Sequence, residues 1–282
     1  MSIDISVNME FVRHDDKSFE EGVRMAAELG YKYVEPMVHN GREVMSEGGY
    51  YHTFSMDDDP LEMKEILDKY GMKASSLSGH GPLMRPEISV PQLEKAVRFA
   101  AAIGVNIVNT DEGIRPRWLS DEDCFHVMRY TLTKVLQIAE RHQVYIAIEP
   151  HQSITKTTQG LLKVATLVDS PNLRVNYDTG NSFLSGADPY AGLQAVLPLL
   201  VHIHAKDIPR QQATAERGKV TGTPVGCACG EGVIDWARVI GILRAANWSG
   251  TLSVECGTPQ QAADSLRHLS AVIQSQAGAA GA

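Results

Sequence analysis

Residues 137–150 read QIAERHQVYIAIEP, and this phrase decides the fold. A helical stretch runs down to a polar break, and an apolar strand follows within a few positions. The same phrase recurs in RMAAELGYKYVEP (24–36), EILDKYGMKASSLS (65–78), FAAAIGVNIVNT (99–110) and ILRAANWSGTLSVE (242–255). Gly30, Gly71 and Gly104 stand where a helix C-cap takes a left-handed residue. Each strand that follows is β-branched with polar ends, as a buried parallel strand requires. The helices keep the 3.6-residue period. In 121–140, Phe125, Met128, Leu132, Val135 and Ala139 share one face, and Ser120 is placed to cap the start.

Extended along the chain, the pattern gives strands at 3–8, 32–36, 73–78, 105–110, 144–149, 173–178, 200–205 and 250–255. Helices fit near 18–29, 60–70, 90–103, 120–142, 158–169, 188–197, 233–246 and 260–275. Alternating strand–helix units of this number predict an α/β chain folded as a single-domain (β/α)8 TIM barrel. A doubly wound open sheet is the competing reading, but no GxGxxG or Walker loop follows any strand. Two insertions, 37–59 and 208–232, should lie on the C-terminal rim, where barrel loops form substrate walls. The barrel is expected to span 1–275, with 276–282 a flexible tail.

Composition narrows the function. The 282 residues carry 26 basic and 34 acidic side chains, a net charge of −8. That balance disfavours nucleic-acid and anionic-membrane partners, which need a basic surface. The four cysteines do not form a disulfide framework, no apolar run reaches membrane length, and the N-terminus lacks a signal-peptide pattern, so a cytoplasmic protein is expected.

The chemistry-bearing residues sit at strand ends. IEPHQ supplies Glu149 and His151, NYDTGN supplies Asp178 and Asn181, VHIHAKD supplies His202, His204, Lys206 and Asp207, and SVECG supplies Glu255. On a barrel these ends are neighbours, so Glu149, Asp178, His204 and Glu255 can converge. Three carboxylates together raise one another's pKa, and a cation relieves that conflict. The donor set suits one divalent ion: Mn²⁺ is favoured, with Mg²⁺, Co²⁺, Zn²⁺ or Fe²⁺ as alternatives. His202 lies deeper and reads as a packed or ligand-supporting histidine. Cys256 reads as packing, and Cys227 and Cys229 as loop residues.

The order IEP…NYDTGN…HIHAKD…SVE resembles the xylose-isomerase-like barrels called sugar phosphate isomerases/epimerases, in their ketose 3-epimerase and inosose-pathway branch. The resemblance implies that Glu149, Asp178, His204 and Glu255 hold the metal. It also implies that Glu149 and Glu255 flank substrate as an acid/base pair and that Arg210 binds substrate. Two positions depart from the epimerase pattern: Asn181 stands where a histidine is usual and Thr155 where a glutamate is usual. The chain offers His151 as a further proton carrier instead. Lys206, His80, Asn181 and Glu112 are expected to contact substrate, with Tyr50, Tyr51 and Trp118 as wall residues.

The implied activity is isomerisation or epimerisation of a keto-sugar or keto-polyol through a metal-stabilised enediolate. The alternative is a lyase on an oxidised sugar, such as a 3-keto glycoside or C-glycoside deglycosidase or an inosose dehydratase. No basic cluster marks a phosphate site, so the substrate is expected to be unphosphorylated. A homo-oligomer fits barrels of this kind. The endonuclease branch of these barrels needs a basic groove, which the acidic charge opposes.

Overall fold

The computed structural model describes residues 2–41, 50–151, 153–219 and 226–279. Its main sheet is wholly parallel. The strands are β1 (Ile3–Asn8), β2 (Tyr33–Glu35), β5 (Lys73–Ala74), β6 (Leu77–Ser78), β7 (Ile107–Thr110), β8 (Tyr145–Ile148), β9 (Leu173–Asp178), β10 (Leu200–Ala205) and β11 (Gly250–Val254). They are ordered β5-β2-β1-β11-β10-β9-β8-β7-β6. The two ends of that order, β5 and β6, are successive parts of one chain segment, so the sheet curls back on itself. Ser75 N donates to Val34 O on one side, and Gly79 N donates to Asn109 O on the other. This is the TIM barrel that the alternating pattern predicts. The expected third strand, 73–78, is split at Ser75–Ser76.

Helices α1 (Phe19–Leu29), α2 (Pro60–Lys69), α3 (Pro86–Ala102), α4 (Asp121–His142), α5 (Thr158–Val164), α6 (Thr179–Leu184), α7 (Pro189–Val196), α8 (Arg210–Glu216), α9 (Trp236–Ala245) and α10 (Pro259–Ala279) lie between and after the strands. Ser120 caps α4 in a reciprocal box with Asp123. Gly30, Gly71 and Gly104 all take positive φ, at 97°, 66° and 78°. Helix α3 begins a turn earlier than the periodicity suggests, because Pro86 at its first turn needs no N–H partner. Helix α10 runs to Ala279, through the start of the expected tail; residues 280–282 lie outside the described residues. Among the described residues, no helix is long and apolar enough to cross a membrane.

Strand alternation sorts the side chains. Val7, Val34, Ile146, Ile148, Val175, Ile203, Leu252 and Val254 are buried in one apolar core. The alternate positions carry Ser6, Asn8, Glu35, Asn109, Asn176, Asp178, His202, His204 and Ser253, also buried. The inside of this barrel is therefore polar, and Asn8, Glu35, Asn109, His202 and His204 form one hydrogen-bonded group within it.

In the first insertion, β3 (Val38–His39) pairs in parallel with β4 (Phe54–Ser55), while residues 42–49 lie outside the described residues. In the second, α8 forms, and the return loop is gathered onto buried Asp207. Its carboxylate accepts from Ile208 N, Gly230 N, Gly232 N, Ile234 N and Trp236 Nε1 at 2.9–3.3 Å. Residues 220–225 of that insertion lie outside the described residues.

Candidate active site and metal centre

Four adjacent strands deliver the four predicted ligands to one point. Glu149 follows β8, Asp178 ends β9, His204 lies in β10 and Glu255 follows β11. Register aligns them: His204 pairs with Asp178 on one side and with Ser253 on the other. One donor atom from each of the four lies within 4.8 Å of the others. His204 Nδ1 stands 3.3 Å from both Glu149 Oε1 and Glu255 Oε2 without hydrogen-bond alignment. Glu149 Oε2, Asp178 Oδ2 and His204 Nδ1 are buried with no hydrogen-bond partner among the described residues. Orphaned donors of this type, converging at one place, fit a divalent cation.

The electrostatics agree. Burial drives Asp178 well above the usual carboxylate range, and repulsion from Glu255 and Glu149 adds to it, against the pull of Lys206. Burial would raise Glu255 too, but Lys206 and His204 hold it well below. Burial disfavours a charged His204, yet Glu35 and Glu149 push it well above the ordinary imidazole value. A cation at this point would take the place of the proton that the crowded acids draw onto His204.

Lys206 enters from the end of β10. Its Nζ lies 2.7 Å from Glu255 Oε1 and 3.9 Å from Asp178 Oδ2. Gly180 in α6 makes room for it: a Cβ there would meet the Lys206 side chain at 2.6–2.9 Å. Asn181, in the same helix, donates from Nδ2 to Glu149 Oε1 at 3.1 Å, while its backbone N–H caps onto Asp178 Oδ1 at 2.8 Å. Asn181 therefore orients two ligands.

A cavity of about 200 Å³ opens above the ligands, lined by Glu149, His204 and Glu255 with His80, Asp111 and His151. His80 Nδ1 is 2.9 Å from Asp111 Oδ2, and His151 Nδ1 is 3.8 Å from the same oxygen. His80 Nε2 lies 3.9 Å from Glu149 Oε2. Burial opposes the charge on His80, but the Asp111 hydrogen bond and charge raise it to about 9. The His80 side chain is 35% exposed at the cavity, so water tempers that effect. Burial would raise Asp111, but His80 holds it at about 2.

Several expectations need correcting. Glu112 does not face the cavity. Its Oε1 accepts from Ile154 N at 2.9 Å and Thr155 N at 3.0 Å, and Oε2 accepts from Thr155 Oγ1. It holds the turn after β8, and Thr155 Oγ1 in turn accepts from His151 N at 2.9 Å. Arg210 is exposed at the start of α8 and does not line the cavity. Trp118 is 80% exposed, and neither it, Tyr50 nor Tyr51 lines the cavity. His202 is fully buried and supports His204, as its deeper position suggests. Cys227, Cys229 and Cys256 are buried free thiols, and burial raises all three.

Of the adjacent acids Asp111 and Glu112 that the sequence sets after the fourth strand, Asp111 is the one that faces the cavity. The sequence reading missed two residues, Glu35 and Glu10. Glu35 also ends a strand, in the same acid-then-proline form as Glu149. Glu10 lines the cavity from the 3₁₀ turn Met9–Val12 and carries no motif.

The fold and site together define a parallel α/β barrel with a candidate divalent-ion site at its strand ends. More closely, the chain belongs to the xylose isomerase-like TIM barrel family, whose model matches residues 23–272. It is 33% identical over 205 residues to a 3-dehydroshikimate dehydratase of Bacillus anthracis, covering 70% of this chain and 69% of the relative. It is 25% identical over 155 residues to an inosose dehydratase of Clostridium botulinum (strain Eklund 17B / Type B), covering 52% of each. The fold matches the crystal structure of a D-tagatose 3-epimerase-like protein with a TM-score of 0.75 at 19% identity, over 98% of this chain and 100% of that one. These relatives carry the names of sugar epimerases and dehydratases.

Proposed function

We propose that this chain is a metal-dependent dehydratase that removes water from a cyclic ketone bearing a β-hydroxyl. The observation that carries this is the asymmetry of the cavity. One wall is Asp111 beside two imidazoles; the other is Glu255, with Lys206 paired to it from outside the cavity lining. Epimerisation is served by two like bases on opposite faces of one carbon. Here Glu255 is held ionised by Lys206, and Glu149 is engaged by Asn181, so the expected carboxylate acid/base pair is poorly placed to exchange protons.

Elimination needs different tools. A base takes the proton α to the ketone, the C–H electrons form the C=C bond, and the β-hydroxyl departs with a donated proton as water. His151 is assigned as the base and His80 as the donor. Asp111 hydrogen-bonds His80 and lies 3.8 Å from His151, so its charge is shared as a proton is gained on one imidazole and lost from the other. Lys206 holds the Glu255 carboxylate in place from behind, at 2.7 Å. Glu149, Asp178, His204 and Glu255 would hold the ion, with Mn²⁺ the preferred occupant. When bound, that ion supplies Lewis acidity at the ketone oxygen. Among the described residues no lysine or arginine lines the cavity, which supports an unphosphorylated substrate. The dehydratase names of the two relatives support the same reaction class.

The test is turnover of 3-dehydroshikimate and of an inosose by Mn²⁺-supplemented protein in D₂O, read by mass spectrometry. Loss of water from either is the expected result. Deuterium uptake next to the ketone with no loss of water would turn the assignment to an epimerase.

A further inference from the structure

Beneath the four ligands lies another buried group, Glu35, His202 and His204, near enough by distance alone to share an ion. Its bonding points elsewhere. Glu35 is 0% exposed, and its two oxygens meet four nitrogen donors. Oε1 faces His204 Nε2 at 2.9 Å, Asn109 Nδ2 at 3.0 Å and Asn8 Nδ2 at 3.3 Å, and Oε2 faces His202 Nε2 at 2.9 Å. Ser76 Oγ lies 3.2 Å from the same His202 nitrogen. A carboxylate with four donors is a satisfied anion. An ionised carboxylate can only accept, so both imidazoles carry a proton on Nε2.

That fixes the other side of His204. With Nε2 protonated, a neutral ring has its lone pair on Nδ1, the atom that faces Glu149 and Glu255. The opposite tautomer would aim an N–H at the ligand cluster and bind nothing. We propose that Glu35 is a positioning residue that locks His204 in its ligating tautomer and raises the basicity of Nδ1. This rests on the metal site of the proposed function. A carboxylate behind a ligating histidine commonly changes metal affinity about 10–100-fold. Asn8 and Asn109 brace Glu35 from two other strands, and Ser76 meets the Nε2 of its partner His202.

Glu35→Gln keeps the shape and removes the charge. Its amide would present N–H to one imidazole, and His202 can adapt by moving its proton to Nδ1, which has no partner among the described residues. The fold should therefore survive. Mn²⁺ affinity of metal-stripped wild type, Glu35→Gln and Glu149→Gln is measured by calorimetric titration. The Zn²⁺-loaded wild type is examined by ¹⁵N NMR of the imidazoles. We expect about a 10–100-fold weaker affinity in Glu35→Gln. We also expect a wild-type spectrum in which His204 carries its proton on Nε2 and its metal on Nδ1. The reversed assignment in wild type overturns the inference, even if the variant fails to fold. Unchanged affinity in Glu35→Gln, with loss of the ion in Glu149→Gln, overturns it and leaves the metal site standing. A second bound equivalent that disappears with Glu35→Gln makes Glu35 a ligand and also overturns it. Wild type that takes up neither ion removes both the inference and the metal reading.

Discussion

Asp111 owes its importance to what stands on either side of it, His80 at 2.9 Å and His151 at 3.8 Å. Replacing it with Asn keeps the volume and removes the charge that both rings share. Turnover of the Asp111→Asn variant should fall by about 10²-fold, the usual scale for disturbing acid–base catalysis, with Mn²⁺ affinity unchanged. Steady-state kinetics beside a metal titration separates the two; a parallel loss of the ion would assign Asp111 to the metal instead. The residue scale is also where the sequence was most and least informative. Glu149, Asp178, His204 and Glu255 were legible because each ends one of four successive strands. Glu112 was misread because it sits one position beyond Asp111. Alternation sends Asp111 into the cavity and Glu112 toward the turn at 154–155. Arg210 was carried over from the family resemblance, but it opens α8 with its side chain exposed and away from the cavity lining.

At the scale of elements, two segments hold the rim in place. The loop returning from the second insertion hangs on Asp207, which receives five N–H groups. Asp207→Ala leaves those donors without their acceptor and should destabilise the fold by about 3–5 kcal/mol. Urea denaturation monitored by circular dichroism checks this. The first insertion returns through His52, buried to 3% exposure just before β4. Burial, reinforced by the charges of Arg13 and His14, lowers His52 from 6.5 to about 4. Its folded pKa lies below its unfolded value, so the unfolded chain binds the proton more readily. The stabilisation is complete above about pH 6.5 and is lost as pH falls toward 4. By linkage it amounts to roughly 3 kcal/mol at most. Denaturation midpoints of wild type and His52→Gln between pH 7 and 4 should converge; parallel curves would exclude His52 as the titrating group.

At the scale of the whole molecule, the candidate metal site draws its four residues from strands β8 to β11 and the positions just after them. Their four ligands bring three acids into one buried space, so an ion that binds only the folded form should stabilise the barrel. At 100 times its Kd, such an ion adds about 2.7 kcal/mol, or several degrees in Tm for a chain of this size. Chelation with EDTA should lower Tm by about 5 °C, and Mn²⁺ should restore it. A Tm indifferent to both would argue that the acids are held by Lys206 and His204 alone. The same site explains the polar barrel interior. Glu35, Asn8 and Asn109 occupy positions where apolar residues would pack well, and they surround the imidazole that the site requires.

Local signals sufficed for the barrel itself. Hydrophobic period, glycine caps and the repeated helix-to-strand phrase are properties of short windows, and each states where the backbone turns and which face is buried. They determined the parallel barrel and the meeting of Glu149, Asp178, His204 and Glu255 at adjacent strand ends. Partnership was another matter. Whether Asp111 pairs with His80, whether Glu35 braces His204, and whether Lys206 reaches Glu255 depend on strands far apart in the chain brought within 3 Å. Only closure of the sheet sets those distances, because a side chain's charge and tautomer follow from its neighbours in space.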